Sequence, residues 1–313
     1  MINKNSIHYL GLDISKNKLD LAGPHIKHKT FTNTENGITS LVNFLLSSLP
    51  SARIVLEPTG GYERSTILAL EKAKITVCRV NAYHVRAFAR SMGKLAKTDK
   101  IDAMILAQFG EQRHPRVMRP YDASQENLQV MHARRQQLLN LQTRESNRLE
   151  TTIPSMRKHL ENSLSFLATQ LAEINIMITQ HIAANPEMQK KIDRLKLVKG
   201  VGDQTANVVV AYLPELGEIE DQQAAALVGV APYNNDSGKH AGHRSIRGGR
   251  HEIRSVLYMA AVSAVRSNSI LSVFYHRLLK QGKPPKVALV AVMRKLIILL
   301  NRLLKNPNFS LAS

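Results

Sequence analysis

Apolar residues in the first third of the chain recur with two alternating periods, and their order predicts the elements. "IHYLGLDIS" (7–15) is a short apolar run that ends at Asp13 and reads as a buried strand. The polar turn "SKNK" follows, then "LDLAG" and "KHKTFTNT" as two more extended pieces, so the start reads as a β-meander. Ile38, Leu41, Leu45 and Leu49 fall at helical spacing, and "ARIVLEPTG" (52–60) is a buried strand stopped by a Pro/Gly turn. "YERSTILALEKAK" predicts a helix, "ITVCRVNA" a strand, and "HVRAFARSMG" and "DKIDAMILAQFGEQ" two further helices. A meander followed by βαβα units predicts an α/β domain on a mixed sheet, placed at residues 1–120.

The pattern then changes. Between 121 and 194, Leu128, Met131, Leu138, Leu141 and Leu149 recur every few residues among charges. After Pro154 the stripe resumes through Leu160, Leu164, Leu167, Leu171, Ile174 and Ile178. Two long amphipathic helices follow from this, a helical hairpin or coiled coil. Its stripe is suited either to a second copy or to its own chain, and both stay open. Residues 195–313 read as a mostly helical unit that ends in "KVALVAVMRKLIILLNRLLK", an apolar helix expected to be buried core.

Charge narrows the partners. Lys and Arg number 43 against 24 Asp and Glu, a net +19, which calls for a polyanion or an anionic surface. No run of about 18 apolar residues is present, so no membrane span is expected. The N-terminus has no apolar core of a signal peptide. The single cysteine, Cys78, excludes an internal disulfide, and no Cys/His cluster has zinc-finger spacing. A nucleic-acid-binding protein of a reducing cytoplasm, with no membrane partner, fits these features.

Four carboxylates stand at informative places. Asp13 ends the first strand, Glu57 ends the "IVLE" strand, and Asp99 and Asp102 lie three apart in "KTDKIDA". On a helix that spacing puts both on one face, with Cβ atoms about 5–6 Å apart. Carboxylates so placed can bind two Mg²⁺ ions, since hard cations take oxygen ligands and paired metals serve phosphodiester chemistry. The competing reading makes Asp99 a helix N-cap and Asp102 a partner of the helix dipole. Asp20 and Glu63 read as solvated. A strand of the form hydrophobic-Gly-Leu-Asp opening a meander is typical of RNase-H-like nucleases.

"LKLVKGVGDQTANVVVAYL" has the form of a helix-hairpin-helix: Gly200 and Gly202 permit a tight turn, and the next helix offers free amides to a phosphate. Lys196 and Lys199 add charge. Downstream, "YNNDSGKHAGHRSIRGGRHEIR" (233–254) carries Ser237-Gly238 beside Lys239, His240, His243, Arg244, Arg247, Arg250 and Arg254. Arginines hold phosphate but cannot serve as bases. Composition therefore makes this a phosphate-binding loop and leaves the role of Ser237 open.

Taken in order, Asp13, Glu57, Asp99 and Asp102, the helical hairpin region, "GVGDQTA" and "GVAPYNNDSGKH…IRGGRHEIRSVLY" resemble the IS110 family of transposases, which includes the Piv-type DNA invertases. The resemblance runs over nearly the whole chain. It departs from the family's pattern where "IRGGRHEIRS" replaces the more usual Ile-x-Lys-x-Gly and Leu-Arg forms. It implies a RuvC-like domain (1–120) whose DEDD tetrad holds Mg²⁺, with Mn²⁺ able to substitute. It implies a helical linker for oligomerisation (121–194) and a transposase domain (195–313) in which Ser237 attacks DNA to give a phosphoserine link. It further implies strand exchange through a Holliday-junction intermediate and a structured guide (bridge) RNA that pairs with donor and target DNA. Dimers, and tetramers on DNA, are expected, in a bacterial cytoplasm at the nucleoid. The rival readings are a RuvC-like junction resolvase in which Ser237 only contacts phosphate, and a non-enzymatic nucleic-acid-binding module.

Overall fold

The computed structural model describes residues 8–24, 26–94, 98–234, 242 and 244–309 of the chain. The chain divides into two compact units, Met1–Tyr121 and Asp122–Ser313.

In the first unit the meander is β1 (His8–Ile14), β2 (Lys18–Gly23) and β3 (Ile26–Thr32). Then come α1 (Glu35–Ser48), β4 (Ala52–Leu56), α2 (Arg64–Lys72), β5 (Thr76–Arg79), α3 (Ala82–Ser91) and α4 (Asp99–Arg113). The five strands form one sheet in the order β3-β2-β1-β4-β5. β1 runs antiparallel to β2 and parallel to β4, and β4 runs parallel to β5. This is the expected mixed α/β sheet, consistent with an RNase-H-like domain.

Successive strand residues face opposite sides, so each strand serves two cores. Leu10, Leu12, Ile54 and Leu56 pack with Leu41 and Leu45 of α1 and Leu70 of α2. Tyr9, Val55 and Cys78 point the other way, onto Phe88 of α3 and Ile105, Leu106 and Phe109 of α4. Full burial of each large side chain contributes about 1.5–3 kcal/mol relative to exposure, which is why both faces are covered.

Two acids expected to be solvated are buried. Asp20 is 4% exposed; it accepts a 2.6 Å hydrogen bond from the Thr30 hydroxyl and lies 2.8 Å from His28 Nε2. Asp20 and Thr30 are direct cross-strand partners, a pairing set by register rather than by local sequence. Glu63, also 4% exposed, accepts from the Thr59 hydroxyl at 2.7 Å and from the Gly61 and Thr59 amides at 2.9 and 3.1 Å. Burial opposes its charge, but these bonds and one from its own amide outweigh burial and hold its carboxyl below the usual range. Glu63 thus folds the loop that follows Glu57 onto itself.

The second unit comprises α5 (Ala123–Thr151), α6 (Pro154–Ala183), α7 (Pro186–Lys196), α8 (Asp203–Tyr212), α9 (Asp221–Val228), the short ladder β6 (Pro232–Tyr233) and β7 (Ser245–Ile246), then α10 (His251–Ser267), α11 (Ser269–Lys280) and α12 (Pro285–Lys305). Pro154 occupies the first turn of α6, where its missing N–H costs nothing, and so separates α5 from α6. α5 and α6 pack together, and Leu128, Leu138, Leu167, Leu171, Ile174 and Ile178 join the same core as α8, α10 and α12. That part of the stripe is taken by its own chain, while Leu141, Ile153, Met156 and Phe166 are exposed. α12 is the buried centre expected, with Val292, Leu296, Ile297 and Leu300 fully enclosed. Its one buried amide is satisfied: Asn301 donates to Ile219 O and accepts from Gly217 N, both at 2.9 Å. No single helix among the described residues is long and apolar enough to cross a membrane.

One buried group makes this unit acid-sensitive. His132 on α5 is 4% exposed and neither ring nitrogen has a hydrogen-bond partner. Burial, reinforced by the nearby Arg135 charge, lowers its pKa from 6.5 to about 4. A folded-state pKa below the unfolded value means stability that is complete above pH 6.5 and declines as pH falls toward 4. The loss reaches about 3 kcal/mol at the lower end. His132→Leu is expected to flatten this acid limb in urea unfolding followed between pH 7 and 4; an unchanged limb would assign it to the carboxylates instead.

Candidate active site and nucleic-acid interface

The carboxylate site begins with strand register. Leu12 of β1 pairs with Leu56 of β4, the last pair of this parallel ladder, and Asp13 and Glu57 follow directly after it on the two strands. Neighbouring strands lie about 4.8 Å apart, and both acids line the cavity on the α3/α4 side. The chain leaves β1 for β2 on one side and leaves β4 for β5 on the other, so the two acids sit at a switch point of the sheet.

Gly11 brings the other two acids. It shares a face with Asp13, and a Cβ there would lie 1.8 Å from Ala103 O and 2.7 Å from Ala107 N. Only glycine lets α4 lie directly on β1. At the far end Gly110 makes the same close approach to Tyr9, so α4 runs antiparallel to β1 with its first turn over Asp13. That turn carries Asp99 and Asp102. The N-cap is Thr98, whose hydroxyl accepts from Ile101 N at 3.3 Å, so Asp99 does not fill the capping role.

Asp13, Glu57, Asp99 and Asp102 consequently line one open cavity of about 390 Å³. Asp99 is exposed and the other three are half-buried. Val85, Ile105 and Leu106 make its wall apolar, which strengthens electrostatic interactions inside it. Arg86 of α3 lines the same cavity, and sequence reading did not single it out.

The donor set is all oxygen, the type a hard divalent cation prefers. Among the described residues no three metal-ligating side chains gather around a single point. A cation that keeps several waters and is held by one or two carboxylates plus phosphate oxygens, as Mg²⁺ commonly is, suits this spacing better than one needing a protein-only cage.

The second unit holds the basic elements. α7 and α8 are joined by a turn in which Gly200 adopts φ +101°, a conformation that L side chains rarely adopt. A Cβ at Gly200 would also lie 2.5 Å from Ala264 Cβ, so the turn rests on α10. Lys199 and Gly202 are exposed there, and Gly202 begins α8 with no side-chain cap. Lys196 is paired with Asp203 at 2.5 Å.

Ser237 and Lys239 lie outside the described residues, as do Gly238, His240 and His243. The stem of their loop is described. Pro232 and Tyr233 pair with Ile246 and Ser245, and Arg250 N donates to Leu227 O at 2.8 Å. Gly229 and Gly249 touch so closely that a Cβ on Gly249 would lie 2.1 Å from Gly229 N. Arg250 forms a bidentate pair with Glu215 at 2.7 and 2.8 Å and donates to Tyr212 O at 2.6 Å. Arg254 donates to Gly248 O at 2.6 Å. These two arginines, read from sequence as nucleic-acid ligands, spend donors on the stem, while Arg244 and Arg247 stand exposed.

Comparison with known proteins agrees with both halves. Residues 10–157 match the DEDD transposase family of IS110 elements, and residues 192–276 match the family described as "Transposase IS116/IS110/IS902 family". The pilin gene-inverting protein of Moraxella lacunata is 26% identical over 303 residues, covering 92% of this chain and 93% of that protein. Its counterpart from Moraxella bovis is 26% identical over 301 residues, with the same coverage. The chain belongs to the IS110 family of transposases and is a DNA recombinase.

Proposed function

We propose that the protein cuts and rejoins DNA with Ser237 as nucleophile and the Asp13, Glu57, Asp99 and Asp102 tetrad as its metal-binding partner. The observation that carries this reading is that the four acids, scattered in sequence, line a single cavity. Mg²⁺, with Mn²⁺ able to substitute, would supply Lewis-acid stabilisation of charge on the phosphate. The Ser237 hydroxyl attacks the phosphodiester, forming a phosphoserine bond and releasing a DNA hydroxyl end that attacks a second phosphoserine to reseal the strand. Lys239, Arg244 and Arg247 hold the phosphate; Arg250 and Arg254 chiefly fix the loop stem, which keeps the nucleophile in place. Lys199, Gly200 and Gly202 grip a neighbouring backbone phosphate as a helix-hairpin-helix would, positioning DNA without reading its sequence.

The functional division is a RuvC-like domain at 1–120, a hairpin or coiled-coil linker for oligomerisation at 121–194, and a transposase domain at 195–313. The exposed Leu141, Ile153, Met156 and Phe166 support a dimer contact. The resemblance brings a structured guide RNA alongside DNA, and the net charge of +19 fits such a polyanionic load. Relatives named for inverting a pilin gene support inversion or transposition of a DNA segment as the outcome.

The test is to trap the protein on a nicked suicide DNA and map the attached residue by mass spectrometry. Attachment is expected at Ser237. Attachment at another residue would move the nucleophile away from Ser237, and cleavage with no protein–DNA bond would leave Ser237 a phosphate contact and make the protein a metal-dependent nuclease.

A further inference from the structure

We propose that Arg86 is a catalytic residue of the carboxylate cavity, holding a non-bridging oxygen of the phosphate bound there. The assignment rests on the tetrad reading of that cavity. α3 turns Ala82, Val85, Arg86 and Ala89 toward it, positions spaced three and four apart and therefore on one helix face. Among them only Arg86 carries charge, and it is the one cation lining the cavity among the described residues.

Arg86 is half-buried and has no hydrogen bond or ion pair among the described residues. That is unusual for a guanidinium with five donors beside four carboxylates. The acids and the cation line the same cavity and no hydrogen bond or ion pair joins Arg86 to them, which leaves a gap in the bonding between opposite charges. A phosphate fits such a gap in chemistry as well as in space. Its oxygens accept from arginine on one side, and on the other they complete the coordination of cations held by too few protein ligands. The apolar wall of Val85, Ile105 and Leu106 strengthens both attractions. A lysine would supply charge without the planar fork, so Arg86→Lys should restore function only in part.

The experiment uses the full chain with Mn²⁺ and thymidine 5′-monophosphate as the phosphate probe. Mn²⁺ binding is followed by electron paramagnetic resonance, and nucleotide affinity by calorimetry in saturating Mn²⁺. Arg86→Gln, which removes the charge and the guanidinium fork but keeps a polar amide, is expected to bind Mn²⁺ as well as wild type or better. Its nucleotide affinity should fall about 30-fold, the worth of a charge-assisted bond, and Arg86→Lys should recover part of this. Asp13→Asn should instead lose Mn²⁺. Unchanged nucleotide affinity in Arg86→Gln, with Mn²⁺ binding still dependent on Asp13, overturns the assignment and leaves the tetrad reading standing. Mn²⁺ binding that ignores Asp13 overturns the tetrad reading, and the role of Arg86 with it. A folding defect in Arg86→Gln, read by circular dichroism, together with full nucleotide affinity in Arg86→Lys, would show that only the charge of the side chain is used, in a structural role.

Discussion

Replacing Asp13 with asparagine is expected to slow DNA cleavage about a thousandfold while leaving the α/β unit folded. Charge stabilisation by a bound metal supplies several kcal/mol to phosphodiester chemistry, and about 4 kcal/mol corresponds to three decades in rate. The amide keeps the shape of the carboxyl, so packing on β1 is preserved. Asp102→Asn should behave the same way, and Asp99→Asn more mildly, because Asp99 is the exposed one of the pair at the start of α4. Single-turnover cleavage and urea unfolding followed by circular dichroism separate the two quantities. Undiminished cleavage in Asp13→Asn would remove the tetrad from the mechanism. A stability loss matching the activity loss would make Asp13 a structural residue.

The second large effect is expected at a residue with no side chain. Gly11→Ala should destabilise the α/β unit by about 3 kcal/mol and weaken Mn²⁺ binding, although Gly11 can ligate nothing. The added methyl would lie 1.8 Å from Ala103 O and 2.7 Å from Ala107 N. Both are helix backbone atoms, so no rotamer change relieves the clash and α4 must move off β1. Asp102 is the residue before Ala103 and moves with it. Hydrogen exchange measured by mass spectrometry should rise along α4 and stay unchanged in α1 and α2, which pack on the opposite face. If exchange in α4 and the urea midpoint both match wild type, the close approach does not position the acids.

Much of the fold was legible because its signals are local. Ile38, Leu41 and Leu45 announce α1 by spacing alone, and all three are buried as that spacing requires. Pro154 announces the break between α5 and α6 for an equally local reason, since proline's fixed φ and missing N–H suit a first helical turn. Asp20 and Glu63 were misread as solvated because their partners arise from folding. Thr30 meets Asp20 only once β2 and β3 pair, and Glu63 gathers amides from a loop that curls around it. What Arg250 touches within the chain was hidden in a related way. Its charge alone says nothing of Glu215, on the segment after α8, which forms a bidentate pair with it.

By itself the sequence determined the order and type of elements, the surplus of positive charge, and the acids standing at strand ends and in a helix first turn. Each depends on composition or on periods of two and 3.6 residues, which neighbours along the chain are enough to display. Only the tertiary structure decided that these acids share one cavity. Asp13 meets Glu57 through the β1–β4 register, Asp99 and Asp102 arrive because Gly11 has no side chain to hold α4 away, and Arg86 faces them from α3. Register, close backbone approach and the opposition of two helices are relations between distant segments, and they exist only once the sheet has formed and both of its faces are buried.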